Sequence, residues 1–178
     1  KIKVELDDIS LQYLEPEKFK ELKAEIDNRL VERETFIAEI VHDVKECIDE
    51  AGIPAEINGR VKHLFSIYKK MVNQNKTLDQ IYDIFAVRII IKNCKPSEEK
   101  TDCWRVYSLV TNIYQPNPKR LRDWITSPKV SGYESLHTTV RADKNWIEVQ
   151  IRTERMDEIA EKGSAAHWQY KGRNKKQT

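Results

Sequence analysis

No apolar run in this 178-residue chain approaches the roughly 20 residues that a bilayer-spanning helix needs, which excludes a helical membrane span. The first residues, Lys1 to Val4 followed by acids, hold no apolar h-region, so no secretory leader is expected. Glycine (5) and proline (6) are scarce, which excludes collagen-like and low-complexity classes. Cysteine is scarcer still. Cys47, Cys94 and Cys103 cannot all pair with one another and none stands in a C-x-x-C, which excludes a disulfide scaffold. Idle thiols in a reducing cytoplasm are the expectation, ahead of a metal site. An initiator Met is also missing, and with the abrupt start this suggests a piece of a longer chain.

Charge is what the chain has in plenty. Charged residues make up 34%, against about 25% in an average soluble domain. The net charge of +2 hides a split. Residues 1–59 hold 8 Lys/Arg against 16 Asp/Glu, and residues 60–178 hold 23 against 13. The second part is therefore expected to meet an anion: nucleotide phosphates, nucleic acid or an acidic partner.

Periodicity orders the elements. Phe19, Leu22, Ile26 and Leu30 predict a helix over 15–33, with Pro16 in its first turn. Phe36, Ile40, Val44 and Ile48 predict a second over 34–51, stopped by Gly52 and Pro54. His42-Asp43 in that helix reads as a solvated face, since a metal-dependent phosphohydrolase would need further ligands. A short strand is expected at 55–58, ended by Gly59, then a helix over 60–73 and a helical turn at 78–82. Residues 84–92 are β-branched and almost continuously apolar, as in a central strand buried on both faces. A helix over 97–114, a loop over 115–119 held open by Pro116 and Pro118, and a hairpin of strands 136–141 and 146–152 follow. A last helix covers 154–170. The fold class is α+β, a mixed β-sheet flanked by helices. The expected organisation is a helical lead-in (1–54), one domain (55–171) and a basic tail (172–178).

Four groups of residues carry chemistry. On a helix beginning at Arg60, Lys62, Ser66, Lys69 and Lys70 would share one face, a stripe able to hold a polyphosphate. Asp83 stands at the mouth of the apolar strand, and Arg88 interrupts it; an arginine there needs a partner, whether a salt bridge or a ligand. Alternation in 146–152 puts Glu148, Gln150 and Arg152 on one face, with Ile147, Val149 and Ile151 on the other. Asp83 and Glu148 together could form a two-carboxylate Mg²⁺ site of the kind phosphoryl transfer uses. Finally, Gly132 turns the chain in the basic stretch from Lys119 to His137 and sets Tyr133 among cations, which suits a nucleotide base or single-stranded RNA.

The segments G-R-V-K-H-L-F-S-I-Y-K-K-M, Y-D-I-F-A-V-R-I, R-L-R-D-W-I, P-K-V-S-G-Y-E-S-L-H-T-T-V, I-E-V-Q-I-R-T and A-E-K-G-S-A-A-H-W-Q-Y-K, in this order over about 55–171, resemble the synthetase domain of the RelA/SpoT family of (p)ppGpp synthetases. The resemblance implies a nucleotidyltransferase fold like that of polymerase β. It implies transfer of the β,γ-pyrophosphate of ATP to the ribose 3′-OH of GDP or GTP in the cytoplasm. Arg60 and Arg88 would sandwich adenine, and Lys62, Ser66 and Lys70 would bind ATP phosphates. Asp83 and Glu148 would hold Mg²⁺, with Glu148 as general base. Tyr133 would stack on guanine, Lys129 and His137 would contact acceptor phosphates, and Gln150 would lie near the ribose. Arg120 and Arg122 fall in the family's R-x-K-D pattern. The implied partners are ATP and GDP or GTP, with hydrolase and regulatory domains in the parent chain, ribosome or tRNA only through regions beyond this one, and no membrane.

Departures from the pattern are Arg122 for Lys, which keeps the charge but not the point-charge geometry; Ser131 for Asn and Glu134 for Gln, which put contacts to the guanine edge in doubt; and Asp157 for His, expected to be without catalytic consequence. His63 and His167 read as packed or capping residues, and Trp168 and Tyr170 as core. The rival readings are a nucleotidyl transferase, which lacks its D-x-D pair here, and a catalytically silent nucleotide- or RNA-binding module.

Overall fold

The computed structural model describes residues 12–62, 64–77, 80, 85–143 and 145–173. The expectations resting on Ile26, Leu30, His63, the turn at 78–82, Asp83, Lys144, His167, Trp168, Tyr170 and residues 174–178 lie outside the described residues or side chains.

The two helices expected before residue 52 are one. Helix α1 runs Pro16–Glu50, 35 residues, with Pro at its start. Neither Gly nor Pro occurs between 17 and 50, so no backbone signal divides the apolar pattern. At 1.5 Å per residue the helix is about 52 Å long. Its C-terminal half carries Ile37, Ile40, Val44 and Ile48, all buried. Burying an aliphatic side chain of this size contributes on the order of 1.5–3 kcal/mol. His42 and Asp43 are exposed as expected, although the Asp43 carboxylate accepts the Tyr114 hydroxyl at 2.7 Å.

After α1 come β1 (Ala55–Val61), α2 (Leu64–Gln74), β2 (Phe85–Ile91) and α3 (Glu99–Ile113). Two short strands follow, β3 (Gln115–Pro116) and β4 (Arg122–Asp123), then β5 (Leu136–Ala142), β6 (Asn145–Thr153) and α4 (Glu154–Arg173). The strands form one mixed sheet in the order β1-β2-β6-β5-β3, with β4 also on the outer side of β5. Among the described residues only β2 and β6 are parallel; the other pairs are antiparallel. The α+β expectation therefore stands, with β2 interior and β5–β6 a hairpin. The stretch expected to be an open loop at 115–119 instead pairs through β3 and then makes a 3₁₀ turn at Pro118–Arg120, whose Asn117 side chain accepts from the Lys119 N–H.

One face of the sheet is apolar. Val87, Ile89, Ile91, Leu136, Val140, Ile147, Val149 and Ile151 are at most 1% exposed, and they share a core with α1 and with Cys103, Val106 and Val110 of α3. Gly59 does not end β1. The strand continues to Val61, so Arg60 and Lys62 precede α2 and Lys62 does not share its face with Ser66 and Lys70. What Gly59 provides is clearance: a Cβ there would stand 2.6 Å from Ile37 Cγ2. That methyl sits on a β-branched core side chain and has little room to move.

Gly59→Ala is accordingly expected to cost about 1–3 kcal/mol through overpacking. Chemical denaturation checks this, and Ile37→Ala in the same chain should reduce the cost of the glycine replacement, because the obstructing methyl is gone.

Candidate functional site

Residues paired across adjacent strands point to the same face of a sheet. Register therefore assembles the second, polar face from five strands. One row is Arg60, Ala86, Glu148 and Thr139; the next is Asn58, Arg88, Gln150, His137 and Arg122; Ile90 and Arg152 begin a third. The alternation read in β6 holds, but this row is not solvated: Glu148 and Gln150 are half-buried and Arg152 is only 2% exposed. Arg120 reaches the same face from the 3₁₀ turn and donates its Nε–H to Thr139 Oγ1 at 3.0 Å. Arg120, Arg122, His137, Thr138, Thr139 and Glu148 line a cleft of about 80 Å³.

Glu148 is the carboxylate at its centre. Its Oε1 accepts from Gln150 Nε2 at 2.8 Å and lies 3.8 Å from His137 Nδ1. Its Oε2 has no hydrogen-bond partner among the described residues. A cation ligand needs such a free oxygen, so Glu148 fits a metal role. Asp83 lies outside the described residues, and Ala86, three residues later, pairs with Glu148. Among the described residues no group of three or more His, Cys, Asp or Glu forms a metal cluster. Burial holds the thiols of Cys94 and Cys103 protonated, their pKa pushed up to about 12, in keeping with idle cysteines.

Tyr133 follows Gly132, whose φ of +80° favours glycine. Gly132 N–H donates to the Lys129 carbonyl at 2.8 Å, and Lys129 N–H to the Tyr133 carbonyl at 3.1 Å, closing the turn. The Tyr133 hydroxyl is 2.8 Å from His137 Nε2. Lys129 Nζ lies 4.9 Å from the centre of the Tyr133 ring and 4.8 Å from that of Trp124. Arg122 is exposed and donates to the carbonyls of Lys119 and Leu121. Ser66 and Lys70 lie on α2, and Lys62 just ahead of it. The doubtful Glu134 faces elsewhere: it pairs with Arg155 at 2.7 Å, and Arg155 also pairs with buried Glu99 at 2.8 Å, tying the Tyr133 loop to α3 and α4. Glu99 further accepts the Thr153 hydroxyl at 2.7 Å.

Sequence reasoning assigned no role to Arg152. It donates to Tyr133 Oη at 3.0 Å, to Gln150 Oε1 at 2.9 Å and to Asp157 Oδ1 at 3.3 Å. Asp157, read as inconsequential, also stands 3.8 Å from Arg88 Nη1, with Glu161 at 3.6 Å. The available signal was a cation in the buried register of β6, five residues ahead of an acid in the next helix.

The family model described as "Region found in RelA / SpoT proteins" matches residues 59–175. The chain is 43% identical over 171 residues to a GTP pyrophosphokinase of Myxococcus xanthus and 39% identical over 171 residues to the bifunctional (p)ppGpp synthase/hydrolase SpoT of Escherichia coli. Each alignment takes in 96% of this chain but only 22% and 24% of those relatives, so the chain spans about a quarter of their length. Among solved structures, small alarmone synthetase 1 of Bacillus subtilis bound to its product pppGpp superposes with a TM-score of 0.66 at 21% identity, covering 83% of each chain. That likeness gives the fold, α+β of the nucleotidyltransferase kind. The chain belongs to the RelA/SpoT family.

His137 yields a pH prediction. Burial depresses its imidazole to about 4; Glu148 opposes this, while Arg152, Lys129 and Arg88 reinforce it. An unfolded imidazole protonates near pH 6.5. The unfolded state therefore binds more protons between these values, so the stability due to this group is complete above about pH 6.5 and is lost as pH falls through about 4. Urea midpoints measured from pH 7 to pH 4 should fall, and His137→Gln should flatten part of that fall.

Proposed function

We propose that this domain transfers the β,γ-pyrophosphate of ATP to the ribose 3′-OH of GDP or GTP, giving AMP and ppGpp or pppGpp. The observation that carries this reading is the polar sheet face, where the Glu148 carboxylate, whose Oε2 has no hydrogen-bond partner among the described residues, lies with arginines from β1, β2, β4 and the 3₁₀ turn. Glu148 takes the proton of the 3′-OH. The 3′ oxygen attacks the β-phosphorus of ATP, the bond from that phosphorus to the α–β bridging oxygen breaks, and AMP leaves. Asp83 and Glu148 would hold the divalent metal, Mg²⁺ in this reading, which when bound shields charge on the transferred groups. Arg60 and Arg88 cover adenine, and Lys62, Ser66 and Lys70 bind ATP phosphates. Arg120, Arg122, Lys129 and His137 meet the acceptor's phosphates, Tyr133 stacks on guanine, and Gln150 lies near the ribose. The reaction belongs to the cytoplasm. Hydrolase and regulatory domains of a parent chain, and ribosome or tRNA contacts made through them, complete the proposed setting.

Incubation with labelled ATP and GDP, read by thin-layer chromatography, should give ppGpp and AMP. An AMP–GDP adduct would point instead to nucleotidyl transfer, and binding without any product to a silent module. Glu148→Gln should lower turnover by at least about 10²-fold, the usual minimum for loss of a general base, while both nucleotides still bind.

Tyr133 and Arg88 should serve different ligands. Base stacking is worth roughly 1–3 kcal/mol and a desolvated cation–π contact about 2. Calorimetric titration should show Tyr133→Ala weakening GDP about 10- to 100-fold with ATP spared, and Arg88→Ala the reverse. Equal loss of both ligands in either variant would assign that residue to the fold instead.

A further inference from the structure

We infer that Arg152 is a positioning residue that sets the direction of two hydrogen-bond chains, one delivering an amide N–H to Glu148 Oε1 and the other turning the His137 Nδ1–H toward that oxygen. The inference deepens the reading of Glu148 as the base and rests on it for its catalytic meaning.

A guanidinium can only donate. The two hydrogens of Arg152 Nη2 have two acceptors, Tyr133 Oη at 3.0 Å and Gln150 Oε1 at 2.9 Å. On the first path, the tyrosine oxygen is taken by Arg152, which leaves its own hydrogen for His137 Nε2 at 2.8 Å. In this arrangement that nitrogen accepts, so a neutral imidazole carries its proton on Nδ1, the atom that stands 3.8 Å from Glu148 Oε1. On the second path, the amide oxygen of Gln150 is fixed on Arg152, so its NH₂ turns to Glu148 Oε1 at 2.8 Å. The opposite amide orientation would set NH₂ against guanidinium and carbonyl against carboxylate.

The amide path closes on Oε1 at 2.8 Å, the imidazole path ends 3.8 Å from it, and Oε2 is left for the chemistry. The device requires a side chain that stays charged and planar while buried. Arg152 is 2% exposed, and its charge is compensated by Asp157 Oδ1 at 3.3 Å from Nη1. Its guanidinium also lies 5.4 Å from the centre of the Tyr133 ring, so ring and hydroxyl are held by the same group. Lysine would retain the charge but not the planar fork that spans two acceptors.

The test is the His137 tautomer, read by long-range ¹H–¹⁵N NMR on nucleotide-free protein labelled at histidine, at one neutral pH, with His137→Gln used to assign the signals. Wild type should show a single neutral tautomer with the proton on Nδ1. Arg152→Met, which removes the donors at similar length, and Arg152→Lys should each give a mixture with the Nε2–H form. Tyr133→Phe should do the same with Arg152 intact, because it cuts the path at its second link. A wild-type proton on Nε2 would overturn the inference even if no arginine variant folded. An unchanged tautomer in the folded variants would overturn it equally. Since no nucleotide is present, failure to synthesise ppGpp would count against the proposed function and leave this result standing.

Discussion

The parallel pairing of β2 with β6 is the constraint on which the rest depends. It is the one parallel contact in the sheet among the described residues, and it joins the two strands richest in β-branched residues. Below it, Val87, Ile89, Val149 and Ile151 are fully buried against α1 and α3. Slipping β2 by one residue would turn Val87 and Ile89 toward the polar side and put Arg88 in the core, and slipping β6 would exchange Val149 and Ile151 for Glu148 and Gln150 in the same way. The cost of burying those charges unpaired is far larger than any gain the slip could offer. The apolar face thus fixes, to the residue, which polar groups meet above it. Ala86 beside Glu148 and Arg88 beside Gln150 follow from core packing, before any requirement of chemistry.

That polar face is mostly cationic, and the way its charges are held differs from place to place. Arg155 makes bonds of 2.7 and 2.8 Å to Glu134 and Glu99, which raise its pKa and place it among structural ties. Arg152 is buried and its pKa is lowered by that burial, yet its fork is committed to three side chains. Arg120 donates to the Thr139 hydroxyl, and Arg122, which is exposed, donates to the carbonyls of Lys119 and Leu121, all of them neutral acceptors. Cations held by neutral groups keep their attraction for a polyphosphate, whereas those tied to carboxylates have largely spent it.

Much of this was legible in sequence because it depends on local pattern. The apolar run of β2, the β5–β6 hairpin and the alternation in β6 are readable from neighbouring residues alone. What escaped depends on contacts distant in the chain. Gly59 looks like a terminator by itself; its reason is Ile37, 22 positions away in α1. The break expected near Glu34 reflected a change of apolar phase, which a helix touching different neighbours along its length tolerates. Pro116 reads as a loop residue, yet at the sheet edge it pairs with Val140 where a missing N–H does little harm. Arg152 was visible as one of a polar row, with Gln150 and Asp157 close in sequence, but its third partner, Tyr133, comes from a loop folded over from 19 residues upstream. Asp83, the second carboxylate of the expected site, lies outside the described residues, so its part stays with the proposal.

Arg88 is where the structural and functional readings of one residue compete most directly. An arginine placed for stability alone would be expected to make charge-assisted bonds of about 2.7–2.9 Å. Arg155 does so. Arg88 instead stands 3.8 Å from Asp157 and 3.6 Å from Glu161, close enough for attraction but beyond hydrogen-bond reach. Its Nε is buried and has no hydrogen-bond partner. The acids of α4 therefore offset the charge without satisfying the donors. A guanidinium neutralised at a distance, with its plane uncommitted, keeps its capacity to lie against an aromatic base, and α4 meanwhile supplies the compensation that lets it wait in a half-buried site.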